Sequence, residues 1–417
     1  MKLPRGTFRM KVSNPRGNPE TPSRASDILR ARRAKEVVMS SPAQLNDERL
    51  AGSATPEGTL RYAARFQGRS APGHFREITS GLVLSSIGIG TYLGEPDDAT
   101  DQGYADAVAA AVEGGINVVD SAINYRLQRS ERSVGAALRK LASNGFARNE
   151  IVVCTKAGFL TPDGAMPADP NEYFSREFLE RGIIRAEDIA AGCHCMATRY
   201  LADQIERSRR NLGVQTIDVF YLHNPETQLS EISAEEFRRR IREAFTFLEL
   251  AVASQKISAY GFATWNAFRE DPKSPGYLSL EEIAGVAVEV GGAEHHFRFV
   301  QLPFNLAMPE ALTRPNQSVA GKLVPMVQAA RALGVTLITS AALLQGQLTK
   351  NLPPFIGEAL KLKTNSALAL QFARSVPGLT TALVGMSKVD HVKANLALVG
   401  VEPTPREQFL KLFEPRN

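Results

Sequence analysis

From about Ile78 onward, short apolar runs alternate with amphipathic stretches, and the pair of textures recurs eight times. The runs are Leu84 to Ile89, Ile116 to Asp120, Ile151 to Lys156, Ile217 to His223, Ala259 to Ala263, Phe299 to Leu302, Thr336 to Ser340 and Thr381 to Val384. Short, β-branched or aromatic, and nearly free of charge except at their ends, they read as strands buried on both faces of a parallel sheet. Between them, apolar positions recur at helical spacing in Gly103 to Glu113, Glu131 to Leu141, Arg199 to Asn211, Ala234 to Ala253, Leu280 to Val290, Lys322 to Leu333 and Asn365 to Ser375, with Lys388 to Val399 last. Gly114, Gly213 and Gly334 stand just past helix ends, where a left-handed cap residue is wanted. Eight such units close a (β/α)8 barrel, the TIM barrel. A doubly wound open sheet shares the periodicity, but no Gly-x-Gly-x-x-Gly follows the first strand. The predicted fold class is therefore α/β, a closed (β/α)8 barrel.

Residues 1–56 lack this alternation and are rich in Pro, Ser, Arg, Gly and Asn. They are expected to form a basic, largely disordered extension, with 57–77 a linking segment and 78–417 the barrel. The connections after strands three, five and six are long; the first runs from about Ala157 to Ala197. All three belong to the carboxyl-terminal face and are expected to cover and shape a substrate pocket.

Composition narrows the class. With 43% hydrophobic and 22% charged residues over 417, the chain reads as globular, and no run of eighteen apolar residues suggests a membrane span. The net charge of +5 invites a nucleic-acid reading, yet residues 1–35 alone carry ten Lys or Arg against Glu20 and Asp27, and residues 36–75 balance. The rest therefore has an excess of acid, and no nucleic-acid groove is expected. Three cysteines are too few for a disulfide framework, which fits a reducing cytoplasm. The first residues lack the apolar core of a secretory signal. Their Arg and Ser content allows organellar import as a lesser alternative, and translation from Met39 is another.

Candidate chemistry gathers at strand ends. Asp120 closes the second strand, Tyr125 follows in the loop, Lys156 ends the third and His223 the fourth. A barrel of this kind builds its active site at that end. A phenol with an ordinary pKa of about 10 donates poorly, and a nearby ammonium such as Lys156 would lower it. Asp120 would hold that ammonium, and His223 would orient a carbonyl oxygen. Such a relay delivers a proton to oxygen but offers no nucleophile for carbon; a hydride from a nicotinamide would complete it. Lys156 as a Schiff-base lysine is the competing chemistry, disfavoured by the nearby Asp120 and Tyr125.

The run Gly-Ile-Asn-Val-Val-Asp-Ser-Ala-Ile-Asn-Tyr, ending at Tyr125, followed by Ser130 to Leu138, resembles the signature of the aldo-keto reductase family. Cys154-Thr155-Lys156, Asp218 to His223, and Val384 to Ser387 with Asn395 extend the resemblance from about Ile78 to Leu398. It implies that Tyr125 is the general acid, that Lys156 and Asp120 tune it, and that His223 positions the carbonyl. It also implies a nicotinamide dinucleotide. Gln301 stands where the family meets the carboxamide, while Thr264 or Asn266 replaces its usual Ser-Asn pair and Ser340 its stacking aromatic. Around the adenosine end, Gly385 and His391 take the places of Lys and Arg, with Ser387, Lys388 and Asn395 nearby. NADPH is the expected cofactor, NADH the alternative, and a small carbonyl compound the expected substrate. A rival reading within the same resemblance is a noncatalytic, cofactor-binding regulatory subunit. The oligomeric state is not legible.

Other motifs read more plainly. Cys193-His194-Cys195 has the ligand types of a zinc site but poor spacing, so loop packing or substrate contact is expected and no metal. His295-His296 is expected to be structural, and Glu235 to Arg240 a solvated helix face. Trp265, Phe268, Phe304 and Met308 are candidates for an apolar substrate wall or for core packing.

Overall fold

The computed structural model describes residues 49–414, so most of the expected extension lies outside the described residues. Eight parallel strands close on themselves: β1 (Ile87–Gly90), β2 (Val118–Asp120), β3 (Val152–Ala157), β4 (Ile217–His223), β5 (Ile257–Ala263), β6 (Phe297–Pro303), β7 (Thr336–Ser340) and β8 (Thr381–Gly385), with β8 pairing back to β1. Around them lie α1 (Asp98–Glu113), α2 (Arg129–Ser143), α3 (Thr198–Leu212), α4 (Ala234–Ala253), α5 (Leu280–Gly291), α6 (Met326–Ala332), α7 (Asn365–Arg374) and α8 (Val389–Leu396).

Alternation along each strand sorts the side chains into two cores. Ile87, Ile89, Val119, Val153, Phe220, Leu222, Val300, Leu302 and Val384 face the helices and join the large outer cluster. Val118, Val152, Cys154, Val219, Tyr221, Phe299, Ile338 and Leu383 fill the interior, and Ala54, Ile78 and Leu82 pack beneath them to seal the lower end. Helix α4 shows how a helix earns its place: Phe237, Ile241, Ala244, Phe245 and Leu248 recur on one face, and the Phe245 ring lies 5.0 Å from Tyr260 and 5.3 Å from Phe297. Truncating such a ring costs about 3–5 kcal/mol. Ser233, Ser279, Thr364 and Asp97 each cap a helix by accepting from a backbone N–H three residues on.

Several boundaries differ from expectation. Val83–Ser85 leaves the first strand to pair antiparallel with Phe75–Glu77 in a hairpin, so the barrel strand begins only at Ile87. The expected helix from Lys322 starts at Met326 instead; Lys322–Pro325 pairs with Pro315–Val319 across Ala320 and Gly321, both at positive φ, and the residue before Pro325 is pushed out of the helical region. Gly213 and Gly334 are left-handed, but Gly114 is not; its need is space, since a Cβ there would lie 2.2 Å from Leu396. The boundary drawn at residue 56 falls inside packed structure, because Leu50 bridges Val214 and the Ala54 N–H donates to Asp218 at 2.6 Å. The segment taken as a linker holds a helix, Pro56–Ala64, whose Tyr62 is fully buried. No helix among the described residues is long and apolar enough to cross a membrane.

Candidate active site

The inward alternation that buries Val118, Cys154 and Tyr221 continues upward by two residues and brings Asp120, Lys156 and His223 into one rim layer, with Gln301, Ser340 and Gly385 completing it. The register is staggered from strand to strand, with Asp120 opposite Cys154, Lys156 opposite Tyr221 and His223 opposite Ala263, as the tilt of barrel strands requires. Tyr125 is carried over this layer by the loop after β2. That loop then turns through three consecutive left-handed residues, Arg126, Leu127 and Gln128, before α2 begins. Left-handed non-glycine backbone costs roughly 1–2 kcal/mol per residue. Here buried Arg126 pairs with Asp101, and Asn211 donates to the Gln128 carbonyl oxygen of the side chain at 3.1 Å, tying the strained turn to its neighbours.

Lys156 is fully buried, with its Nζ 2.6 Å from Asp120 Oδ2 and 2.7 Å from the Ser121 carbonyl. It also lies 5.0 Å from the centre of the Tyr125 ring. Burial opposes the ammonium, but Asp120 and Tyr125 outweigh it and raise the Lys156 pKa. Burial raises that of Asp120, against Lys156 and the Gln301 amide, which donates at 2.8 Å. For Tyr125 burial is again the largest influence, and the phenol is held above its usual value although Lys156 pulls the other way. The ammonium lowers this pKa as expected, but desolvation outweighs it, and the hydroxyl keeps its proton. His223 is driven well below its ordinary range by burial, then by Lys156 and His194, and is a neutral imidazole. Its ring meets Tyr125 edge-on at 5.8 Å, and its Nδ1 is buried without a hydrogen-bond partner.

A cavity of about 830 Å³ opens over this layer. Asp120, Tyr125, His223, Thr264, Gln301, Ser340, Gly385, Ser387, His391 and Asn395 all line it. Asn266 and Lys388 are not among the lining residues; the Asn266 backbone N–H donates to Glu226, and Lys388 sits at the start of α8. Gln301 faces the cavity while its Nε2 is committed to Asp120. No Lys or Arg is among the lining residues.

The long loops play a smaller part than expected. The loop after β3 contributes no lining residue, the loop after β5 only Thr264 and Trp265, and the loop after β6 none. They pack instead on the outer shell and on each other: Phe178 lies 5.9 Å from Tyr200, and Tyr277 donates to the Asn316 carbonyl at 2.7 Å. Phe268 and Phe304 are core residues, Phe304 stacking on Phe372, and Met308 is not in the lining. The wall comes from residues the sequence reading passed over. Tyr92 and Leu93 follow β1, Asn124 precedes Tyr125, and Ala341, Leu343, Gln345, Gly346 and Thr349 follow β7. Asn305 secures that last loop by donating to the Ala341 carbonyl at 3.0 Å. Asn124 was recoverable in principle, since its neighbour's assignment to the mouth places it there too.

Elsewhere, no group of three or more metal-ligating side chains occurs among the described residues. His296 pairs with Glu249 at 2.7 Å on the far side of the barrel, at the start of β6. The Glu235 to Arg240 run forms ion pairs along α4, as between Arg240 and Glu236 at 2.8 Å.

Comparison with known proteins agrees with this architecture. Among curated relatives, the NADH-specific methylglyoxal reductase of Escherichia coli (strain K12) is 27% identical over 195 residues, 45% of this chain and 51% of that protein. The D-threo-aldose 1-dehydrogenase of a Pseudomonas sp is 29% identical over 201 residues, 44% of this chain and 51% of that one. These alignments span about half the length of the relatives they match. An aldo/keto reductase from Klebsiella pneumoniae, solved with NADP and acetate, matches with a TM-score of 0.54 at 18% identity, covering 82% of this chain and 96% of that one. The holo form of aldo-keto reductase AKR11C1 from Bacillus halodurans gives 0.55 at 20% identity, covering 81% and 95%. At such identities the structural likeness speaks for the fold. The sequence profile of the Aldo/keto reductase family matches residues 86–413, a span that contains every strand of the closed barrel, and the chain belongs to that family.

Proposed function

We propose that this protein is an NAD(P)H-dependent oxidoreductase that reduces an aldehyde or ketone, and oxidises the corresponding alcohol in reverse. The observation that carries the reading is the cavity mouth itself: a protonated phenol, a neutral imidazole and the Asp120 carboxylate line one cavity, with the Lys156 ammonium buried against Asp120 behind them. Tyr125 donates its proton to the substrate oxygen, and the Lys156 ammonium compensates the phenolate left behind. Asp120 keeps Lys156 charged and in place, and His223 directs the carbonyl toward the phenol. A bound reduced nicotinamide would supply the hydride to the carbonyl carbon.

The residues present suit such a group. Thr264 Oγ1 is buried and without a partner at the cavity wall. Thr264, Gln301 and Ser340 would hold the nicotinamide end, and Gly385, Ser387, His391 and Asn395 the adenosine end. NADPH remains the first assignment, with Ser387 and His391 meeting its extra phosphate. The absence of Lys and Arg from the lining favours NADH as a second reading.

The barrel is proposed to be the whole catalytic unit, acting on a small carbonyl compound without nucleic acid or membrane. The test is loss of the reduced-nicotinamide absorbance with each cofactor against a panel of aldehydes, ketones and quinones. Turnover is expected; cofactor binding without turnover would favour a regulatory subunit instead.

A further inference from the structure

His223 is unusual in how little orients its ring. The Nδ1 that a positioning carboxylate or carbonyl would normally engage is buried and unpartnered, so the imidazole is aimed only by its backbone and by edge contacts with Tyr125 and Phe159, the latter at 5.2 Å. That backbone is held on one side by β5, where the Asn224 N–H donates to the Ala263 carbonyl at 2.7 Å, and at the His223 carbonyl by the Cys193-His194-Cys195 run, which the proposed chemistry leaves without a task.

The run forms one side of a small hairpin, Ile189–Ala190 with His194–Cys195, that docks on the stretch after β3: Leu160 donates to the Cys193 carbonyl and Cys195 to the Gly158 carbonyl, each at 2.8 Å. This places fully buried His194 beneath His223, with Nε2 2.8 Å from the His223 carbonyl oxygen. β4 ends there, and Asn224 turns left-handed immediately after. Gly158 permits the approach, because a Cβ would lie 2.6 Å from His194 Nε2 and 2.7 Å from the same carbonyl.

The chain of hydrogen bonds behind His194 has one allowed direction. Arg240 can only donate, and its Nη1 lies 2.7 Å from Gln228 Oε1. Gln228 Nε2 must then donate, and it lies 2.8 Å from His194 Nδ1 and 3.2 Å from the His194 carbonyl. His194 Nδ1 is therefore an acceptor, the ring proton sits on Nε2, and it donates to His223. We infer that His194 is a positioning residue for the carbonyl-orienting imidazole of His223, locked in its donor tautomer by Gln228 and Arg240. Burial, opposed by the bond to the His223 carbonyl, lowers the His194 pKa to about 4, so the clamp stays neutral and intact across the working pH range.

The inference rests on the proposed role of His223, and two readouts keep the two apart. Long-range proton–nitrogen spectra of histidine-labelled protein should show His194 as the Nε2–H tautomer from about pH 5 to 9; an Nδ1–H tautomer would overturn the clamp whatever the turnover. In carbonyl reduction, His194→Phe should lower kcat by about 10- to 100-fold, the scale of a roughly 1 Å misplacement, while cofactor Kd by fluorescence titration moves less than about threefold. His194→Gln, whose amide nitrogen reaches the same carbonyl, should recover most of that loss. Gln228→Leu, which frees the tautomer without touching His223, should show a smaller loss of the same kind. Unchanged kcat in His194→Phe, or a glutamine variant as impaired as the phenylalanine one, would refute the positioning role.

Discussion

Replacing Lys156 with Met separates the stability of the buried ion pair from its chemistry. At 2.6 Å the attraction to Asp120 is about 6 kcal/mol for an effective dielectric of about 20, and much of it offsets the cost of burying both charges. Without Lys156, Asp120 keeps the Gln301 amide but faces burial alone, a situation that typically costs about 3–5 kcal/mol. The carboxyl escapes by taking a proton, which for an ordinary carboxyl at pH 7 costs about 4 kcal/mol, or about 1.4 per pH unit above about 3.9. The sign follows from linkage: the folded-state pKa of Asp120 in the variant exceeds the unfolded one, so stability is greatest in acid and is lost as pH rises toward the folded value. The gap between Lys156→Met and the parent should therefore be about 3–4 kcal/mol at pH 7 and narrow by roughly 1 kcal/mol per unit on going to pH 5. Urea unfolding followed by the single tryptophan, Trp265, reads the gap at each pH. Adding Asp120→Leu should restore most of the stability while activity stays absent. A gap that is constant or widens on acidification would show that Asp120 is not the group left unpaired.

Tyr125→Phe should bind cofactor within about threefold of the parent and lose carbonyl reduction by about 10²- to 10⁴-fold, read by steady-state kinetics and cofactor fluorescence; near-full reduction would remove Tyr125 from its role. Because burial holds the Tyr125 phenol above its usual value and reduction needs the protonated form, reduction rate should stay level from about pH 6 to 9 and fall only above about 10. A pH profile in which reduction is lost below pH 9 would contradict that. Glu226 accepts the Trp265 N–H at 2.9 Å with one carboxylate oxygen, leaves the other buried and unpartnered, and is pushed up to about 7 by burial. Its raised pKa favours folding in acid and loses that contribution as pH climbs through 7, so Glu226→Gln should match the parent below pH 5 and exceed it by about 3 kcal/mol at pH 8. Denaturation midpoints across pH decide it; parallel curves for the two proteins would sink the assignment.

The parts legible in the sequence are those that alternation alone determines. A strand of period two fixes which residue faces inward at the rim, so Asp120, Lys156 and His223 could be placed together from their strand ends, and β4, β7 and α4 were bounded correctly. The failures lie where distant packing decides. Whether the loop after β3 lines a pocket depends on Phe174, Phe178 and Tyr200 meeting across the outer shell, and nothing local announces that. The hairpin that replaced the start of the helix at Lys322 needed Ala320 in a left-handed turn, a conformation its side chain does not advertise. The balance between burial and the Lys156 charge at Tyr125 is likewise invisible to spacing, because it depends on how much water the mouth excludes.

Where the barrel closes, Gly90 and Gly385 lie side by side at the top of β1 and β8, and a Cβ on either would find nothing nearer than 4.0 Å. The seam of the cylinder is thus a bare trough of main chain beside the reacting groups. A long ligand can lie directly on the backbone there, and a bulky side chain grown at Gly385 would narrow the entry one strand away from Gly90, the residue paired with Asp120. Room for a ligand at the seam and proton handling at Asp120, Tyr125, Lys156 and His223 thus fall to different residues.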